Sequence, residues 1–121
     1  MRKLLLSTLV VAVLATPAAW AWRAPTFNEK YRVINALPRF YHQACIRYSI
    51  RISSVDNRFG AVFFRFVRPT AKGCNPFDGQ VLVKRVTTVR WQKIGEGSEW
   101  PCRLRGVPTR VVKDLFGGCG P

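Results

Sequence analysis

The chain has 121 residues, 20 of them basic and 6 acidic, for a formal net charge of +14, with 48% hydrophobic residues, four cysteines and one histidine. This length suits one domain with a modest core, and the charge excess opposes compactness by self-repulsion, so a use for it with an anionic partner is expected. A single histidine excludes acid–base catalysis by two imidazoles, and four cysteines without a C-x-x-C pair give no zinc-ligand spacing.

Arg2 and Lys3 precede an apolar run, Leu4–Ala15, and the sequence Ala19-Trp20-Ala21 follows. This is the plan of a secretory signal peptide spanning 1–21. The apolar run is shorter than the ~20 residues of a spanning helix, and no other stretch is apolar enough to cross a bilayer. The predicted mature domain is 22–121. It keeps 18 bases, 13 of them arginine, and all six acids, for a net charge of +12. It is expected to be extracellular, or periplasmic if the source is bacterial. In such a compartment the even cysteine count predicts two disulfides. Cys45, Cys74, Cys102 and Cys119 allow three pairings.

Thr26 and Glu29 form a capping box. Phe27, Tyr31, Ile34 and Leu37, with Val33 beside them, recur at helical spacing, and Pro38 disfavours continuation, so a helix over 27–37 is predicted. In 45–52, Ile46, Tyr48, Ile50 and Ile52 alternate with Arg47, Ser49 and Arg51, the period of a half-buried strand. Residues 53–60 read as a connection, 61–67 as an aromatic strand and 70–79 as a turn-rich loop. Residues 80–91 read as a long Val/Thr strand and 95–101 as a turn. In 107–116 alternating Val107, Thr109 and Val111 favour a strand over a short helix opened by Pro108 and closed by Gly117. The fold class expected is α+β: one N-terminal amphipathic helix packed on a three- to four-stranded antiparallel sheet, with two disulfides.

Catalytic patterns are weak. There is no G-x-S-x-G elbow, P-loop or G-x-G-x-x-G. His42 beside Tyr41 reads as structural, and Glu96 and Glu99 lie in a Gly/Ser turn suited to solvent. The chain is expected not to be an enzyme and to need no metal or cofactor. The positive signal is base interleaved with aromatic and apolar residues. The candidate anionic-surface residues are Arg47, Arg51, Arg65, Arg68, Lys84, Arg85, Arg90 and Trp91. A solvated face normally mixes charge signs, and this one has few acids to mix. Each base near an anionic surface contributes about 1 kcal/mol. Four to six of them reach only roughly millimolar to tens-of-micromolar affinity. An inserted apolar part is therefore expected too, and Trp22, Trp91 and Trp100 suit a membrane interface.

The succession of a capped helix, "RYSIRI", "AVFFRFVRPTAKGC" and "CNPFDGQVLVKRVTTV" resembles the cystatin-like superfamily and, within it, the cathelin-like pro-domains of cathelicidins. Glu29, Tyr48, Phe64, Cys74, Gly79, Val83 and Lys84 fill the matching places. The resemblance implies a secreted cationic host-defence protein that binds anionic bacterial surface lipids, with the activity residing in the folded domain. It also implies a Cys102–Cys119 pair, leaving Cys45 for Cys74. A hairpin joined at 53–60 independently brings residue 45 and residues 68–70 to one end of the sheet. Two departures stand out: Cys45 lies in the first strand, and Arg85 or Val86 stands where a cysteine is expected. Two alternatives remain. One is a cystatin-type inhibitor of papain-like proteases using "DNRFG" (56–60) and the Trp100 turn, although the Q-x-V-x-G pattern is absent. The other is non-specific binding of nucleic acid or a sulfated glycan such as heparin.

Overall fold

The computed structural model describes residues 22–121, so the signal-peptide reading lies outside the described residues. Seven elements follow in order: helix α1 (Phe27–Ala36), a 3-10 turn (Arg39–Tyr41), strands β1 (Ile46–Ile52), β2 (Phe59–Phe66), β3 (Gln80–Arg85) and β4 (Trp91–Gly97), and helix α2 (Thr109–Phe116). The strands form one antiparallel sheet in the order β1-β2-β3-β4. The class is α+β, with two helices rather than one. α1 also does not open the described segment, because Arg23 first pairs with Ile52 at the end of β1.

The capping box forms as the sequence requires: Thr26 Oγ1 accepts from the Glu29 N–H, and the Glu29 carboxylate accepts from the Thr26 N–H at 2.9 Å. Leu37 is extended, as its position before Pro38 demands. The buried face of α1 departs from the expectation. Val33 and Leu37 enter the core, but Phe27 and Tyr31 are 83% and 63% exposed. The apolar arc of the helix is wider than the strip the sheet can cover, so the Phe27/Tyr31 line faces outward.

Two cores result. Under α1 and the 3-10 turn, Val33, Leu37 and Tyr41 meet Ile50, Ile52, Val62, Val81, Val83 and Trp91. On the opposite face Phe59, Ala61, Leu82 and Trp100 meet Val107, Val111, Val112 and Leu115. Each buried Val, Leu, Ile or Phe among them contributes about 1.5–3 kcal/mol by leaving water. The second core corrects two expectations. Residues 109–116 are helix, not strand, and the arginine-bearing face of the sheet is only partly wet: α2 helps cover Arg51, whereas Arg47, Ser49 and Arg65 stay exposed. Asp114, 2% exposed, ties that roof to the turn after β1 by accepting from Ser53 Oγ and the Ser54 N–H, each at 2.8 Å.

The predicted strand over 80–91 is also divided. Residues 86–90 turn, with the Val86 N–H donating to Arg90 O and the Arg90 N–H to Thr87 Oγ1. Threonine hydroxyls compete locally with ladder pairing, and here that competition closes a hairpin. Cys45–Cys74 (Cα–Cα 5.9 Å) clips the β2–β3 loop to the start of β1, and Cys102–Cys119 (4.9 Å) brackets α2.

Arg23 donates to both Glu29 carboxylate oxygens, at 2.7 and 2.8 Å. This pair, foremost, holds the Glu29 pKa down to about 2 from an ordinary 4.5, against the opposing effect of burial. The contribution of Glu29 to stability is therefore complete above about pH 4.5 and disappears as pH falls through about 2. The unfolding temperature is expected to drop across that window, and Glu29→Gln to flatten the drop; thermal melts from pH 7 to 2 check this. An unchanged slope in the variant would remove Glu29 as the titrating group.

Candidate functional site

Three of the six acids pair with bases close to them in sequence. Glu29 pairs with Arg23, Asp56 with Arg58 at 2.7 Å and Glu96 with Lys93 at 3.2 Å. Arg58 lowers the pKa of Asp56 through its hydrogen bond. The Glu96 carboxyl is lowered first by the Tyr41 hydroxyl and then by Lys93. Burial, with Glu96 adding to it, pushes the Tyr41 hydroxyl up to about 12. Among the described residues the other 15 of the 18 bases have no carboxylate partner in a salt bridge.

The sheet register sorts the predicted residues into two groups. At the disulfide end, Arg47 stands directly opposite Arg65 across β1 and β2, and Arg68 follows at the start of the β2–β3 loop. Like charges so placed repel. Arg68 adopts φ 56°, the only non-glycine positive φ among the described residues. Arg47, Arg68, Lys72 and the Cys45–Cys74 bridge border a pocket of about 440 Å³.

The opposite end of the sheet holds the turns 53–58 and 86–90. Lys84 and Arg85 close β3 there, Arg85 donates to Asn57 Oδ1 at 3.4 Å, and Arg90 is exposed on the hairpin. Val86 and Val89, 44% and 59% exposed, project from the same hairpin. Arg32 of α1 donates to Thr88 O at 3.2 Å, so the helix braces this tip. Val86, Val89, Lys72 and Arg58 were not among the predicted site residues. The exposed valines were hidden because their sequence reads as uninterrupted strand.

Arg51 and Trp91 do not join either group. Arg51 lies between the Phe63 and Trp22 rings, 4.2 and 4.7 Å from their centroids, and donates to Leu115 O at 2.9 Å, so its cation helps seat α2. Trp91 is 4% exposed in the α1 core, which corrects its expected place on the surface. Trp100 is 8% exposed and stacked on Phe116. Its turn follows β4 at the disulfide end, with Nε1 donating to Gln80, whereas 56–60 lies at the other end. Those two segments therefore do not form one wedge. Among the described tryptophans Trp22 alone is exposed, at 42%.

His42 bonds Leu37 O through Nε2 at 2.9 Å and lies beside Tyr48. Among the described residues no group of three or more His, Cys, Asp or Glu side chains could hold a metal ion, and no helix is long and apolar enough to cross a membrane. Comparison with family models, curated proteins and solved structures finds no match to this chain.

Proposed function

We propose that this chain is a secreted cationic host-defence protein, a single cystatin-like domain that binds the anionic lipids of bacterial surfaces. The observation that carries the reading is the hairpin end of the sheet. Lys84, Arg85 and Arg90 flank the exposed Val86 and Val89, so charge and an insertable apolar tip share one edge. The charges supply attraction and the valines the desolvation that charge alone lacks. A helix laid across a sequential antiparallel sheet supports the cystatin-like part. α2 on the other face and Cys45 beside β1 are its departures. The test is binding to phosphatidylglycerol and to phosphatidylcholine vesicles over a salt series. Binding is expected only to the former and should weaken more than tenfold between ~50 and ~300 mM NaCl. Equal binding to the neutral vesicles removes the proposal, and heparin binding without vesicle binding replaces it with the glycan reading.

One observation favours cystatin-type protease inhibition as a second reading. Arg23 beside Ile52, the turn 53–58 and the hairpin 86–90 share the same end of the sheet. The wedge would then use 86–90 in place of the Trp100 turn. No inhibition of papain at micromolar concentration would end it.

A further inference from the structure

The pocket at the disulfide end is lined by Ala44, Val67, Ala71 and the Cys45–Cys74 bridge together with the bases Arg47, Arg68 and Lys72. Among the described residues no acidic one lines it, and Arg65 adds a fourth positive charge opposite Arg47. Its volume, about 440 Å³, falls within the range of small-ligand sites. Arg47 Nη1 donates only to main-chain oxygens, Ala44 O at 3.2 Å and Ile46 O at 3.1 Å, which are weaker acceptors than an anion. The loop amides of Ala71 and Cys74 are spent on Arg68 O and Ala71 O, so side chains must do the binding. Arg68 is the second observation. Its left-handed backbone would suit glycine, and it precedes Pro69, yet the position carries a long cation.

We propose that this pocket binds a phosphate monoester, presented at a membrane by a lipid head group. The inference rests on the proposed anionic-surface reading but can be tested apart from it. A monoester carries −1.5 to −2 charges near neutral pH, so it gains more from three cations lining one pocket than a singly charged diester does. Guanidinium groups also match phosphate oxygens in pairs.

The experiment is an amide chemical-shift titration with inorganic phosphate and with glycerol 3-phosphate at ~150 mM NaCl. Saturable shifts confined to residues 44–47 and 67–74 are expected, with a dissociation constant of about 1 mM. Arg68→Gly should fold at least as well, because glycine takes positive φ without strain, and should weaken binding about tenfold. Unsaturable shifts spread over the whole cationic surface, or unchanged affinity in Arg68→Gly, would overturn the site. Vesicles of phosphatidic acid and of phosphatidylglycerol, matched in surface charge, test the lipid source. About threefold preference for phosphatidic acid, lost in Arg68→Gly, supports a head group as the ligand. Phosphate binding without that preference overturns the head-group assignment. Absence of binding to both vesicles overturns the surface reading itself, while the phosphate titration still judges the pocket.

Discussion

Replacing Lys84, Arg85 and Arg90 together by alanine should weaken binding to phosphatidylglycerol vesicles by about 100-fold. Three bases at an anionic surface contribute about 1 kcal/mol each, and about 3 kcal/mol corresponds to a factor near 10². None of the three is in a salt bridge among the described residues, so their removal leaves no carboxylate stranded. The one hydrogen bond recorded for these side chains, from Arg85 to Asn57, is long at 3.4 Å and exposed. The fold should therefore persist, with an unfolding temperature within a few degrees of the parent. The matched control is Arg103, Arg105 and Arg110 to alanine, three exposed bases in and before α2. It removes the same charge from another part of the surface and should weaken binding much less. Equal losses in the two variants would mean that net charge, not the hairpin end, governs binding. Val86→Ser with Val89→Ser extends the test: affinity should fall although charge is unchanged, because the apolar tip is gone.

Strand β1 was legible because its alternation is strict. Ile46, Ile50 and Ile52 are buried where the period puts them, and the β1–β2 pairing follows from the connection at 53–60. That pairing also brings Cys45 to Cys74, as the hairpin argument expected. The Cys102–Cys119 pair was expected from the resemblance alone, and the segment it brackets is a helix. Residues 107–116 send conflicting local signals, since β-branched valines suggest strand while Pro108 and Gly117 suggest helix ends. The outcome depends on a non-local partner. Only with Phe59, Ala61 and Leu82 in place do Val111, Val112 and Leu115 gain a surface to cover. The split of 80–91 was hidden for the opposite reason. Its Val/Thr composition is uniform, and the turn is decided by Thr87 and by where the sheet ends. The candidate site inherits both difficulties. The bases themselves were named, but which of them stand together depended on the hairpin and on α2, and these also took Trp91 and Arg51 out of the surface set.

Trp100→Ala should be the most destabilising single change in the α2 core, by about 3–5 kcal/mol. The indole is 8% exposed and stacks on Phe116 with centroids 4.2 Å apart and planes 8° from parallel. Nε1 donates to Gln80 at 3.0 Å, and Trp100 O accepts from the Gly120 N–H at 2.8 Å, so the residue joins β3, the C-terminal segment and α2. Truncation leaves a cavity that the sheet cannot collapse into. With a typical domain stability of about 5–15 kcal/mol, the loss takes a large fraction of the total. A fall in unfolding temperature of about 15–30 °C follows for a domain of this size. Trp100→Phe keeps an aromatic stack but gives up the N–H, and its effect should be near 1 kcal/mol, the size of one hydrogen bond. Hydrogen exchange locates the damage. In Trp100→Ala the amides of 109–116 should lose protection before those of β1 and β2, because the α1 core contains no part of this ring. A fall of less than 5 °C, or equal loss of protection on both faces, would show that α2 is held down by Val111, Val112 and Leu115 without the indole.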